Sequence, residues 1–146
     1  MDLDDAGFLK AAAIGALSTI PAEIVSWVLL LFGIGKYSVY QLNSLIVTIS
    51  RTSETIGLII NFLAGSVISS IIYLVLKKWG HRHTIIICIM AGLITWLLWE
   101  FFFTLSIEGD TIEIRPIADY YTHLIGTFVF GASMGFLLKR KLLDSD

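Results

Sequence analysis

Charge is what this sequence has least of. Only 15% of its 146 residues are charged, against 56% hydrophobic, whereas soluble domains carry roughly 25% charged residues. There is too little polar material to cover a water-facing globule, and the length allows one domain with no separate soluble module. The net charge of −2 lacks the basic excess that a nucleic-acid partner requires. Cysteine occurs once, so Cys88 cannot form an intrachain disulfide, and inside a hydrophobic run it reads as a small apolar residue. Zinc-type Cys/His spacing, a P-loop, GxGxxG and GxSxG are all missing, and no nucleophile–base pair stands out. A hydrolase is therefore the reading with least support. The opening Met1-Asp2-Leu3-Asp4-Asp5 has no basic segment, and no A-x-A pattern follows the first apolar run. That run is expected to stay in the mature chain rather than leave as a signal peptide.

Long apolar runs are what the sequence has in abundance. A helix needs about 18 such residues to cross ~30 Å of hydrocarbon, and four runs qualify: 8–33, 56–76, 84–107 and 117–138. None alternates in polarity as a barrel strand would. The expected fold is all-α, a single-domain integral membrane four-helix bundle. The segment 36–55 carries Val39, Leu42, Leu45, Ile46 and Ile49 at helical spacing, with polar residues between them. It reads either as an interfacial amphipathic helix on the outer surface or as an extension of a tilted second span. No internal repeat supports an inverted-repeat transporter within one chain.

Basic residues orient the spans. Lys77, Lys78 and Arg82 fill the second connection and Lys139, Arg140 and Lys141 follow the fourth span. The other side holds only Lys36, Arg51 and Arg115, diluted by Glu54, Glu108, Asp110 and Glu113. The positive-inside rule puts both termini in the cytoplasm, in a bacterial or archaeal plasma membrane. Tyr37, Tyr40, Tyr120 and Tyr121 read as outer interface anchors, Tyr73 and Trp79 as inner ones. Trp96 and Trp99 read as packing or interface residues. His81-Arg82-His83 reads as a polar turn rather than a metal site. Lys139-Arg140-Lys141 reads as a topology signal that can also meet anionic headgroups. The acidic outer residues Glu108, Asp110 and Glu113 either enrich cations at the outer mouth or form a solvated turn.

Polar residues inside the spans fall at one depth. At ~1.5 Å per residue, Glu23 lies ~20 Å from Lys10, Asn61 ~24 Å from Lys77, Glu100 ~26 Å from His83 and His123 ~24 Å from Lys139. Asp119 stands one turn beyond His123 on the same face. Each of these residues belongs to a row of small or polar residues at four-residue spacing. Gly15 precedes Glu23, Gly57 and Gly65 flank Asn61, Gly92 precedes Glu100, and Gly131 and Gly135 continue the His123 row. Such rows let helix backbones approach closely, so all four are expected to face inward. Pro21 is expected to kink the first span just before Glu23.

Intramembrane ionisable groups are costly and commonly functional. Glu23, Glu100 and His123, with Asp119 and Asn61, make a first shell suited to a divalent metal or to a proton-coupled ligand. A full di-metal site would need a homodimer, because each chain supplies one intramembrane His. The alternative is a non-catalytic scaffold or accessory subunit, surrounded by lipid or held in a larger membrane complex, whose polar residues are contacts between helices. Asp119 as a helix-start carboxylate and Asn61 as interhelical glue belong to that reading. Ala22-Glu23 in the first of four short spans resembles the membrane-embedded glutamate of small multidrug-resistance transporters. The resemblance ends at these two residues, because those proteins are shorter and lack the further ionisable residues and the long first loop. No family is assigned.

Overall fold

The computed structural model describes residues 5–80 and 82–143; Met1 to Asp4, His81 and Asp144 to Asp146 lie outside them. The chain forms α1 (Asp5–Leu31), α2 (Val39–Thr48), α3 (Glu54–Trp79), α4 (Thr84–Ser106) and α5 (Ile117–Leu138), followed by a π-helical turn, Lys139–Leu143. All but α2 are long and apolar enough to cross a membrane. Their ends follow from local chemistry. Ser53 caps α3, with Glu54 in its first turn and Lys77 and Lys78 in its last, each complementing the helix dipole. Helix α1 runs unbroken through Pro21.

The spans pack in the order α3–α1–α5–α4, and α3 and α4, at the ends of this row, share no comparable contact. Glycine sets the two closest crossings. A β-carbon at Gly15 would lie 2.0 Å from the Gly65 carbonyl oxygen, so α1 and α3 touch backbone to backbone. At Gly131 and Gly135 it would lie 2.7 Å from the Cα atoms of Ile89 and Ile85, so α5 and α4 also meet along their backbones. The outward faces are apolar, with Leu63 and Val67 on α3 and Ile94, Leu98 and Phe102 on α4 exposed. That inverts the soluble pattern and suits lipid contact.

Residues 36–55 do not extend the second span. Helix α2 ends at Ile49, whose φ of 63° and ψ of −49°, with the Ser50 N–H bonded to the Thr48 carbonyl at 2.7 Å, make a γ-turn that separates it from α3. Helix α2 is the separate amphipathic helix expected between the first and second spans, and its inner face packs on the bundle. Leu42 and Leu45 are 1% exposed, and Tyr40 and Ser44 are buried as well. The Tyr40 carbonyl oxygen sits where a β-carbon on Gly57 would be, at 2.0 Å. Helix α2 thus plugs one end of the bundle.

The core is split accordingly. Leu42 and Leu45 pack with Phe103 and Ile107 beneath the plug. A second cluster, including Leu76, Met134, Leu138 and Leu142, fills the opposite end. Between them lies the polar level.

Candidate functional site

Glu23 is buried on α1, and three donors from its own chain meet its carboxylate. Oε1 accepts from Ser38 Oγ at 2.6 Å. Oε2 accepts from the Tyr40 amide at 2.9 Å, and Ser26 Oγ lies 3.2 Å away. Ser38 is the N-cap of α2, where it forms a capping box with Gln41. The Glu23 carboxyl group therefore meets the start of a helix whose first amides need acceptors. Tyr40 is not an interface anchor: its hydroxyl is 2.8 Å from Thr19 Oγ1 on α1, in a buried contact.

Asp119, in the first turn of α5, is fully buried. Its Oδ1 accepts from the amides of Lys36 and Tyr37, while Oδ2 has no partner. The chain reaches this carboxylate because Gly35 adopts φ +93° and has no β-carbon to strike Oδ1, 2.7 Å away. His123, one turn along, closes on the same segment, with Nε2 3.3 Å from the Tyr37 carbonyl oxygen. Its Nδ1 lies 3.2 Å from Glu100 Oε1. The ring thus links Glu100 on α4 to the segment that leads into α2.

The cation that matches Glu100 comes from outside the spans. Arg115 Nη2 donates to Glu100 Oε2 at 2.7 Å and to Glu108 Oε2 at 3.2 Å. Its backbone amide donates to Glu108 Oε1 at 2.7 Å, and Tyr120 Oη donates to Glu108 Oε2 at 2.8 Å. The guanidinium lies between the rings of Phe103 and Tyr120, 4.7 and 4.6 Å from their centroids, and its side chain is 0% exposed. Burial disfavours the charged forms here, yet these partners outweigh it. The Glu108 carboxyl is held below its ordinary range by the Arg115 amide, guanidinium and Tyr120 hydroxyl. The Arg115 guanidinium is raised by Glu100 and Glu108. Glu108 is therefore neither a solvated turn residue nor a free attractor of cations, whereas Asp110 and Glu113 are exposed.

Asn61 joins three helices. Its Nδ2 donates to its own helix at the Gly57 carbonyl, and its Oδ1 accepts from Asn43 Nδ2, both at 2.8 Å. Asn43 Oδ1 in turn accepts from Trp99 Nε1 at 2.7 Å. This strap from α3 through α2 to α4 crosses one end of a cleft of about 120 Å³. Asn61, Ala64 and Ile68 line it from α3, and Gly92, Trp96 and Trp99 from α4, with α1 and α5 behind.

The structure thus pairs Glu100 with His123 and places Asp119 beside the same turn. Glu23 bonds instead to the start of α2, and Asn61 to Asn43. The three-ligand metal set of Glu23, Glu100 and His123 is not assembled: no three His, Cys, Asp or Glu residues are grouped to hold a metal among the described residues. The physical reason is that each carboxylate already has donors on its own chain. Sequence reasoning missed Arg115 and Asn43. A buried Glu100 demands a cation, and Arg115, close before the next span, was a readable candidate. Nothing separated Asn43 from the polar side of an ordinary amphipathic helix. No family model, curated protein or solved structure matches the chain.

Proposed function

We propose that this protein is a non-catalytic membrane scaffold or accessory subunit, whose intramembrane charges hold a plug helix and an acidic loop against one end of a four-span bundle. The observation that carries this reading is the bonding of Glu23, Glu100, Asp119 and His123, each to groups of the same chain. A carboxylate already matched by a guanidinium or a helix start has little left to offer a passing cation, and stripping it of those partners costs several kcal/mol. The basic ends of the spans support a cytoplasmic placement of both termini, with α2 and the 107–116 loop outside.

The test compares wild type, Glu23→Gln and His123→Ala in mild detergent, by thermal melts with and without divalent ions and by elemental analysis. Both variants should melt earlier, with no ion-dependent shift in any of the three. A wild-type ion-dependent shift that vanishes in variants melting at the wild-type temperature would reverse the assignment, making the polar level a cation site.

A further inference from the structure

The plug helix and the acidic loop account for the charges at one end of the bundle, and the basic residues of the other end take no part in either. Lys77, Lys78, Arg82, Lys139, Arg140 and Lys141 are all exposed there. No carboxylate lies in the sequence between residues 77 and 84 or between 139 and 143, and Asp5 is the one acid at this end among the described residues. The helix crossing brings the two basic runs together. Gly135 on α5 meets Ile85 on α4 backbone to backbone. Lys139 follows Gly135 at the four-residue spacing that shares a helix face, and on the antiparallel α4 the same step leads back from Ile85 to the connection before Thr84. Lys139 is thus set opposite the segment that carries Arg82. Bringing like charges together costs free energy, and an anion between them removes that cost. The surface running inward from this point is apolar. One residue beyond each contact position, Ile86 and Met90 on α4 and Phe128 and Phe136 on α5 are exposed, whereas Thr84 and Met134, one residue before, are buried. In an antiparallel pair those exposed positions fall on one side, so they flank a single groove, with half-buried Ala132 between Phe128 and Phe136.

We infer that the outer groove between α4 and α5 binds an anionic phospholipid, its phosphate held by Arg82, Lys139 and Arg140 and an acyl chain lying along Ile86, Met90, Phe136 and Phe128. A cationic rim with an apolar groove running inward from it has its polar and apolar parts in the same order as such a lipid. A zwitterionic headgroup carries its own cation, so it offsets the basic cluster poorly, and a free phosphate matches the rim but not the groove. Depth agrees. Helix α5 ends at Leu138, so the basic residues sit where the span reaches the headgroups. From Lys139 to Phe128 the groove runs ~16 Å along the helix, which is one leaflet of a ~30 Å hydrocarbon core. The π-helical turn fixes the cluster in place, because Leu142 is buried in the core while Lys139, Arg140 and Lys141 stay exposed. Such binding requires neither the scaffold role nor a particular orientation of the protein.

The test follows thermal melting of the whole protein in a neutral detergent during titration with phosphatidylglycerol, phosphatidylcholine or inorganic phosphate. Phosphatidylglycerol should raise Tm saturably, and the other two should not. Arg82→Gln/Lys139→Gln should move the titration midpoint to about 25-fold more lipid, since each basic residue beside an anionic headgroup contributes a factor of about five. The midpoint is read separately from the starting Tm, so a change in fold stability does not mimic it. Lys10→Gln/Lys77→Gln makes the same change of charge on α1 and α3 and should move the midpoint far less. Equal shifts for the two pairs would mean diffuse attraction to the whole basic end, and a phosphate effect as large as the lipid's would mean a free-anion site. Either result overturns the inference, as does a response to phosphatidylcholine equal to that to phosphatidylglycerol.

Discussion

Arg115 is the residue on which the outer end of the bundle turns. Its guanidinium meets two carboxylates and two aromatic faces while its side chain is fully buried. Removing one member of such a cluster leaves an uncompensated buried charge, at a cost of about 3–5 kcal/mol. Arg115→Met should therefore lower stability by about that much in equilibrium unfolding in detergent. Adding Glu100→Gln should recover part of the loss, since it removes the stranded charge. Glu108 supplies the pH dependence. Its carboxyl is depressed in the folded protein, so its contribution is present above the ordinary carboxylate range of about 4.3 and is lost as pH falls through the folded value. Limited proteolysis of the 107–116 loop should accelerate only in acid, and Glu108→Gln should cleave rapidly at neutral pH as well.

At the scale of elements, α2 is the piece whose position needed explanation. Ten residues make a marginal helix in isolation. Three things hold it: the Ser38 capping box, the Glu23 carboxylate at its start, and the missing β-carbon of Gly57 beneath its backbone. Gly57→Val should lift the plug, because a side chain there meets the Tyr40 carbonyl rather than a flexible group. The expected cost is about 1–3 kcal/mol or more, accompanied by faster hydrogen exchange at the Tyr40 and Leu42 amides and little change in the α4–α5 pair. The small-residue rows of the spans were readable in sequence because helical spacing alone puts them on one face. The packing of α2 on the bundle was not, since Leu42 and Leu45 look the same whether they face a lipid interface or a protein core.

For the whole molecule, four antiparallel spans put the start of α1, the connection between α3 and α4, and the turn after α5 at one end. A membrane-impermeant maleimide checks the proposed orientation. In a Cys88→Ala background, Asp110→Cys should label on intact cells and His83→Cys only after permeabilisation, both positions being exposed. The opposite pattern would invert the protein in the membrane without disturbing its fold. The same packing order explains why the bundle is open along one side: α1 and α5 occupy the middle, and α3 and α4 are left to flank the cleft.

Composition and hydropathy by themselves determined the helical class with four spans, and the position of Glu23, Asn61, Glu100 and His123 along each helix, because run length and helical rise are local properties of a chain. Which polar residue meets which was decided only in three dimensions. Glu100 sits 15 residues from Arg115 and 23 from His123, and Asp119 lies 83 residues from the Lys36 amide that it receives. Equal depth in a bilayer says how far along its helix a residue lies, while its partner depends on how the helices rotate, cross and order themselves around the bundle. The backbone contact at Gly15 and Gly65 and the fold of the loop carrying Arg115 set those angles here. They turned one polar level into three separate structural joints and left the cleft between α3 and α4 unfilled.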